Sequence, residues 1–344
     1  MKTNPFELTF GLKPDNYISR LKQSEEIISS FEEGTNHIFM ITGVRGTGKT
    51  VLLTHVAEHF ESKNDWMVIN LISEADMLDQ LASRLYDSSL KHRIFDNKTF
   101  GFSFQGISFS ISGSKPVTNV VSLIEILLQK IQKKKKVLIC VDEALNNQYM
   151  KPFAQTFQLL LRNRYPINLL MTGLYQNIYE LQNNESLTFL YRAPKINLEP
   201  LSISSIAAKY KEVFNIDVDA SIKLANLTKG YAYAYQVLGY LLFEKRDTIV
   251  DEALLASYDQ YLQEYVYIKT FRELSHNDQQ VLLAFSSNEK TKVEYLIKTT
   301  KMNKKVFSVY RDRLIKRGIL CSPSYGLLSL KLPRFYDYLK VIKE

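Results

Sequence analysis

The most constraining feature of this 344-residue chain is a glycine-rich segment near its amino terminus. The segment reads Gly43-Val44-Arg45-Gly46-Thr47-Gly48-Lys49-Thr50 and matches the pattern G-x-x-x-x-G-K-[ST] at every position. An apolar run at residues 37–42 precedes it, and residues 50–60 carry apolar side chains at helical spacing. The segment therefore is predicted to join a buried strand to a helix, which is the context that a phosphate-binding loop requires.

The residue types in this loop suit a bound nucleoside triphosphate. Glycines let backbone N–H groups turn toward phosphate oxygens, and the helix amino terminus adds partial positive charge. Lys49 is expected to reach the β- and γ-phosphates, and the Thr50 hydroxyl to bind Mg²⁺. The residues expected to contact ATP are Gly43, Arg45, Gly46, Thr47, Gly48, Lys49, Thr50 and Val51. A surface glycine loop is the alternative, which the stringent match and its context disfavour.

Two carboxylates follow a second predicted strand. Residues 137–141 form an apolar run that ends at Asp142 and Glu143. A parallel sheet brings such residues to the edge where α/β folds bind ligands. Asp142 is expected to bind Mg²⁺ together with Thr50, and Glu143 to orient and polarise the attacking water. An acidic turn without a chemical role is the competing interpretation.

The alternation of strands and helices between residue 37 and about residue 198 predicts a parallel α/β sheet covered on both faces. Period-two alternation predicts a β-hairpin at residues 99–112, with its turn near Gln105-Gly106, that packs on its own core or contacts a partner. Residues 202–274 are predicted to be helical, and residues 276–332 to form three helices and a hairpin, a winged-helix arrangement. The predicted domains are 1–200, 201–274 and 275–344.

The positive charge of the chain permits a polyanionic partner. The net charge is +8, and between residues 290 and 318 ten lysines and arginines accompany only two acidic residues. The side chains expected to contact the phosphates of double-stranded DNA are Lys304, Lys305, Arg311, Arg313, Lys316 and Arg317. A winged helix that contacts protein through an ordinary lysine-rich surface is the alternative.

Other features of the sequence indicate the cellular compartment of the protein and the nucleotide that it binds. The two cysteines, Cys140 and Cys321, are too few for a disulfide framework or a metal site, which favours a reducing, cytoplasmic compartment. Cys140 is expected to be a small buried core residue. No apolar stretch approaches the ~20 residues of a membrane helix, so stable membrane insertion is not expected. GTP is disfavoured because the one pair of the guanine-reading type, Asn97-Lys98, lacks a following aspartate.

A transferring phosphoryl group also needs a positive side chain nearby. Arg162, Arg164 and Arg192 are the candidates near the ends of predicted strands, and a solvated surface charge is the alternative for each. Thr172, which follows a predicted strand at residues 167–171, is a candidate for sensing the γ-phosphate or positioning the water.

Five segments of the chain together resemble the AAA+-related STAND ATPases, and most of all the bacterial and archaeal ATP-binding proteins akin to origin-recognition initiators. The segments read TGVRGTGKTVLL, LICVDE, LLMTG, FLYRAPKINLEPLS and GYAYAYQVLG. The resemblance covers roughly residues 6–340 and implies an αβα P-loop core, a helical lid and a C-terminal winged helix.

The resemblance also implies roles for single residues. Thr172 stands at the sensor-1 position, and Arg192 is a candidate arginine finger or sensor that acts in cis or, through self-association, in trans. Residues 230–232 stand where such proteins often have Gly-x-Pro in contact with adenine, and Ala232 replaces the proline here.

The leading functional hypothesis is an ATP-hydrolysing switch. Mg·ATP would close the lid on the core and change how the winged helix or the aromatic hairpin engages DNA or a partner. The competing hypothesis is a signalling or scaffold module that binds ATP tightly, turns it over rarely and recognises a protein. A metabolic kinase is a third possibility, for which the sequence shows no signature of an acceptor pocket.

Overall fold

A computed structural model describes residues 3–9, 13–14, 16–91, 100–104, 107–111, 119–288 and 290–343; residues 90, 91, 100–104 and 107–111 are described by their backbone. The chain divides into two compact units. The sheet unit comprises Arg20–Thr42 and Leu52–Ile196. The helical unit comprises Met1–Ser19, Gly43–Val51 and Asn197–Glu344. The predicted boundaries at residues 200 and 274 stay predictions.

The first part of the chain alternates helices and strands, as the sequence predicts. In chain order the elements are α1 (Leu21–Glu33), β1 (Ile38–Thr42), α2 (Lys49–Glu61), β2 (Trp66–Ile72), α3 (Met77–Lys91), β3 (Phe100–Phe104), β4 (Ile107–Ile111), α4 (Val120–Ile131), β5 (Lys136–Asp142), α5 (Met150–Arg162), β6 (Ile167–Gly173), α6 (Tyr175–Gln182), a 3-10 turn (Glu185–Leu187), α7 (Thr188–Tyr191) and β7 (Lys195–Asn197).

A five-stranded sheet in the order β2-β5-β6-β1-β7 forms the centre of the sheet unit. The pairs β2/β5, β5/β6 and β1/β6 are parallel. Strands β1 and β6 are buried at every position, which explains their continuous apolar sequences. This arrangement confirms the predicted parallel α/β fold, and it places the carboxyl ends of β1, β5 and β6 along one edge.

The cysteine in β5 behaves as predicted. Cys140 is a free thiol with 1% of its surface exposed, and burial raises the pKa of the thiol. It packs as a small apolar side chain in the middle of the sheet, which is how free cysteines most often behave.

The predicted hairpin is present as two antiparallel strands, β3 and β4. Phe100 pairs with Ile111 and Phe104 pairs with Ile107. The residues of the predicted turn, Gln105-Gly106, lie outside the described residues, as does the pair Asn97-Lys98.

From residue 203 onward the chain is helical up to a small C-terminal sheet. The elements are α8 (Ile203–Phe214), α9 (Val218–Leu227), α10 (Ala232–Lys245), α11 (Glu252–Leu262), a π-helical turn (Gln263–Tyr267), α12 (Ile268–Arg272), α13 (His276–Leu283), β8 (Thr291–Lys292), α14 (Val293–Thr300), α15 (Lys304–Lys316), β9 (Leu320–Ser324), β10 (Leu327–Leu330) and α16 (Phe335–Lys343). One apolar core contains buried side chains of these elements, up to Leu339 in α16, together with Phe6 from the start of the chain.

Helices α13, α14 and α15 followed by the β9–β10 hairpin have the order of the predicted winged helix. The small sheet has the order β8-β10-β9. Helix α13 begins with a capping box, in which Ser275 and Asp278 satisfy each other's backbone N–H groups. The short strand β8 at Thr291–Lys292 directly precedes α14.

Two arginines of the predicted DNA-contact set have carboxylate partners within the helical unit. Arg313 binds Asp278, with Nη2 2.6 Å from Oδ2 and Nε 2.9 Å from Oδ1. Asp278 is fully buried, and a buried carboxylate depends on its cation. Arg311 pairs with Asp312 at 2.8 Å. Arg313 therefore anchors α15 to the start of α13, and the two guanidinium groups are less available to a phosphate than the sequence suggests.

The alternation predicted up to about residue 198 ends in a short strand. Thr188–Tyr191 form α7, and Lys195–Asn197 alone form β7. Within the part of the chain that the structure covers, no helix combines the length and the apolar character needed to cross a bilayer.

Gly239 in the middle of α10 offers a test of packing in the helical unit. A Cβ at this position would lie 2.3 Å from Cε1 of Phe6, whose ring is 3% exposed. Alanine in place of glycine ordinarily stabilises a helix by about 0.5–1 kcal/mol. We expect Gly239→Ala to have the opposite sign and to lower the free energy of unfolding by about 1–3 kcal/mol, because the buried ring must move. Urea unfolding followed by circular dichroism measures this.

The control is the same substitution in a Phe6→Ala background. There the clash is absent, and Gly239→Ala should be neutral or stabilising. A loss of the same size in both backgrounds would show that the ring contact is not the cause.

Candidate nucleotide site

The glycine-rich segment forms a tight loop between β1 and α2. Gly46 and Gly48 have φ values of +74° and +89°, in the region that favours glycine. Helix α2 begins at Lys49, so the first N–H groups of a 13-residue helix lie at the end of the loop. Thr50 and Val51 are half-buried in its first turn. Such a helix amino terminus favours an anion through its oriented N–H groups and its dipole.

The loop backbone holds the ammonium group of Lys49. Its Nζ donates to the carbonyl oxygens of Gly43 at 3.1 Å and of Val44 at 2.9 Å, and the residue is 9% exposed. The Thr47 hydroxyl donates to the same Val44 carbonyl at 2.9 Å. These bonds keep a positive charge beside the helix amino terminus, as phosphate binding by the loop requires.

The start of α10 packs against this loop, and both belong to the helical unit. The Tyr231 hydroxyl donates to the carbonyl of Arg45, and the Tyr233 N–H donates to the carbonyl of Gly46 at 3.0 Å. The Arg45 guanidinium pairs with Glu273 at 2.7 Å. Residues 230–232, which stand where the resembling proteins often contact adenine, therefore lie against the loop itself.

The acidic pair lies at the carboxyl end of β5, and the neighbouring strand β6 supplies Thr172. The Thr172 hydroxyl donates to Oδ1 of Asp142 and accepts a hydrogen bond from the N–H of Glu143 at 3.2 Å. Thr172 is fully buried, Asp142 is half-buried and Glu143 is exposed. The structure thus brings together three of the predicted site residues. Thr172 is bonded to both members of the acidic pair, and its predicted role in sensing the γ-phosphate or positioning the water stays a prediction.

The backbone of Glu143 has an unusual conformation. Its φ is +52°, in the left-handed region that side-chain-bearing residues rarely adopt. The N–H of Glu143 is held by Asp142 and Thr172, its carbonyl accepts from the Ser73 hydroxyl at 2.8 Å, and the N–H of Ala144 donates to the Thr172 carbonyl at 2.7 Å. These bonds fix the strained backbone of Glu143 at the end of β5.

Two further residues, Ser73 and Asn147, support the backbone around Glu143 and are not predicted by the sequence. Ser73 follows β2, and the Asn147 amide donates to its carbonyl at 2.7 Å. The Asn147 Oδ1 also accepts the N–H groups of Tyr149 and Met150, both at 3.0 Å, at the start of α5. The sequence contains no motif for this pair. The spatial order of β2 beside β5 is what makes Ser73 a neighbour of Glu143.

The three candidate arginines have different positions. Arg162 and Arg164 precede β6 and are exposed, so they lie at the amino edge of the parallel sheet. Asp142 and Thr172 lie at the opposite, carboxyl edge, so neither Arg162 nor Arg164 stands beside the acidic pair. Arg192 is exposed at the carboxyl end of α7 and stays a candidate.

Comparisons with known proteins agree with this geometry. Residues 17–190 match a family described as an ATPase domain predominantly from Archaea. Residues 264–339 match a family described as a domain of unknown function. No curated protein matches the chain in sequence.

Several solved structures share the fold. A Walker-type ATPase of Pyrococcus abyssi has a TM-score of 0.66 at 15% identity, over 95% of this chain and 96% of that chain. The ORC2 protein of Aeropyrum pernix, solved in ADPNP–ADP complexes, has a TM-score of 0.62 at 13% identity, over 97% and 96%. Cdc6p of Pyrobaculum aerophilum has a TM-score of 0.51 at 14% identity, over 98% and 96%.

The parallel sheet, the loop between β1 and α2, and the acidic pair after β5 define a P-loop ATPase fold of the kind seen in the ORC2 and Cdc6p structures. The match to the first family covers half of the chain, and the protein therefore belongs to the family of ATPase domains found predominantly in Archaea.

The arrangement around Thr172 predicts a loss of turnover in Thr172→Val. Valine keeps the shape of threonine but removes the donor to Asp142 and the acceptor for the Glu143 N–H. We expect the rate of ATP turnover to fall about 10- to 100-fold, as is usual when a residue that orients catalytic groups is lost. The affinity for ATP should change little, because Thr172 holds the acidic pair. Turnover and nucleotide binding are measured side by side.

Thr172→Ser is the matched control, since it retains the hydroxyl and should keep most of the activity. Equal losses in the valine and serine variants would indicate that packing, and not the two hydrogen bonds, accounts for the effect.

Proposed function

We propose that this protein is a Mg²⁺-dependent ATPase that acts as a nucleotide-controlled switch and engages double-stranded DNA through α15. The observation that carries the ATPase part is the Lys49 ammonium group held by loop carbonyls beside the amino terminus of α2. This combination recognises a phosphate chain through fixed dipoles and one positive charge. Family membership supports the same class of activity.

Each residue of the site has a proposed task in hydrolysis. Lys49 binds the β- and γ-phosphates, and the loop N–H groups surround their oxygens. Glu143 orients and polarises the attacking water, and Thr172 keeps the acidic pair in position. Arg192 supplies a positive charge to the transferring phosphoryl group, in cis or from an associated copy.

The proposed Mg²⁺ ligands are the Thr50 hydroxyl and the Asp142 carboxylate. Both are hard oxygen donors, and Mg²⁺ is commonly held by one or two protein oxygens together with substrate phosphates. The Thr172 hydroxyl bonds Oδ1 of Asp142 and so helps to hold this carboxylate in place. When bound, Mg²⁺ neutralises charge on the phosphate oxygens.

The DNA part of the proposal depends on the ends of α15. Asn303 caps the helix by accepting the N–H of Val306 at 2.9 Å, which places Lys304 and Lys305 in the first turn. These lysines and Lys316 in the last turn are exposed. Because Arg311 and Arg313 have carboxylate partners, the three lysines, with Arg317, carry the proposed phosphate contacts.

The ATPase proposal is tested by steady-state hydrolysis with the wild type and Glu143→Gln, each with and without duplex DNA. We expect the wild type to hydrolyse ATP and DNA to change its rate. The variant should bind ATP normally and lose about 100-fold or more of the rate, because the amide cannot accept a proton from water. Full activity in Glu143→Gln would exclude the assigned role of the carboxylate.

The DNA proposal is tested by reversing two charges in Lys304→Glu/Lys305→Glu. We expect weaker duplex binding and a slope of log K against log salt that is smaller by about 2, one per lost phosphate contact. The matched control is Lys211→Glu/Lys223→Glu, which makes the same change in net charge at exposed positions of α8 and α9. Equal effects of the two double variants would exclude α15 as the DNA contact.

A second function, recognition of a protein partner by a slow ATP-binding module, is favoured by exposed apolar side chains on α15 and on the β9–β10 hairpin. Val309 in the middle of α15 is 61% exposed, and Tyr325 at the tip of the β9–β10 hairpin is fully exposed. Asp312 lies on the exposed part of α15 as well. Tight ATP binding, together with a negligible turnover rate that does not change when duplex DNA is added, would support this function over the first.

A further inference from the structure

The tip of the phosphate-binding loop is held through its backbone by the tyrosine segment at residues 231–233. The carbonyl of Arg45 accepts from the Tyr231 hydroxyl, and the carbonyl of Gly46 accepts from the Tyr233 N–H at 3.0 Å. The contact is close: a Cβ on Gly46 would lie 2.4 Å from the Tyr231 oxygen and 2.9 Å from the Cβ of Tyr233. Two consecutive peptide groups of the loop are therefore fixed from one side.

Because a peptide group is rigid, a contact that fixes its carbonyl also fixes the direction of its N–H group. The C=O and N–H of one trans peptide point in opposite directions across a rigid plane. With its carbonyl bonded to Tyr231, the Arg45–Gly46 peptide must direct the Gly46 N–H away from the tyrosine. A loop that binds phosphate through N–H groups needs this kind of orientation before the ligand arrives.

We propose that the Tyr231 hydroxyl is a positioning group of the nucleotide site, which orients the Arg45–Gly46 peptide so that the Gly46 N–H binds the β- and γ-phosphate part of the nucleotide. This inference rests on the proposed binding of ATP by the loop. Tyr231 itself acts on the peptide, and the peptide acts on the phosphates.

The surroundings of Tyr231 suit a fixed donor. The residue is 4% exposed, and burial raises the pKa of its phenol well above the usual range, so the hydroxyl keeps its proton. Its backbone is fixed as well, because the Tyr231 N–H donates to Thr228 at 2.8 Å and Leu201 donates to the carbonyl of Gly230 at 2.7 Å. The oxygen therefore has a defined place above the loop.

A second interaction, an ion pair, holds the loop residue Arg45. The Arg45 guanidinium is bound to Glu273 at 2.7 Å, at the carboxyl end of α12. Residue 45 is thus held by its side chain and by its carbonyl, and the peptide plane that follows it has little freedom to rotate.

The test is Tyr231→Phe, which removes the oxygen and keeps the ring, with affinities for ATP, ADP and AMP measured by calorimetry or competition. We expect ATP and ADP to bind about 3- to 10-fold more weakly, the usual net effect of one hydrogen bond. AMP lacks the β- and γ-phosphates, so its affinity should stay the same. The decisive quantity is the ratio of ATP to AMP affinity. A general loss of stability would lower both affinities alike.

Tyr233→Phe is the matched control, because Tyr233 contacts the loop through its backbone N–H, which the substitution retains. Its ratio of ATP to AMP affinity should equal that of the wild type. An unchanged ratio in Tyr231→Phe, or an equal change in both variants, would overturn the inference while leaving the proposed function intact. A wild type that binds no ATP would overturn the proposed function, and the inference with it.

Discussion

Parallel pairing of β5 and β6 is the constraint on which the acidic half of the site depends. The register places Val141 beside Met171, so the next residues along both strands, Asp142 and Thr172, emerge together at the carboxyl edge. The same sheet pairs Ile41 of β1 with Thr172, and β1 leads directly into the glycine-rich loop. Side chains that are far apart in sequence meet because hydrogen-bonded strands run in one direction, and their burial leaves no other register open to them.

Backbone groups make many of the hydrogen bonds in the glycine-rich loop and at the acidic turn. In the loop, the carbonyls of Gly43 and Val44 hold the Lys49 ammonium group. At the acidic turn, the Glu143 backbone is held on its N–H side by Asp142 and Thr172 and on its carbonyl side by Ser73. Strain at such a position persists only when its surroundings over-determine it, and here several independent hydrogen bonds do so.

The sequence predicts those features that depend on local pattern. The loop, the strands before it and before the acidic pair, the hairpin and the helices of the C-terminal part all follow from apolar periodicity and from glycine placement. Contacts between distant segments do not follow from such patterns. Ser73 and Asn147 acquire their roles from the spatial order of the strands, and Tyr231 acquires its role from the packing of α10. The pairing of Arg313 with Asp278 does not follow from local pattern either, because Asp278 lies on another helix.

The π-helical turn at Gln263–Tyr267 has a consequence for the ion pair between Arg45 and Glu273. A π turn holds one residue more than an α-helical turn, so every residue after it is rotated by about 100° relative to an uninterrupted helix. The single extra residue in the π-helical turn therefore sets the rotation of α12 about its axis, and with it the direction of the residues at the end of α12. Deletion of one residue from that turn would rotate the Glu273 carboxylate around the helix axis and away from Arg45. The ion pair would then be lost although Arg45 and Glu273 were both still present.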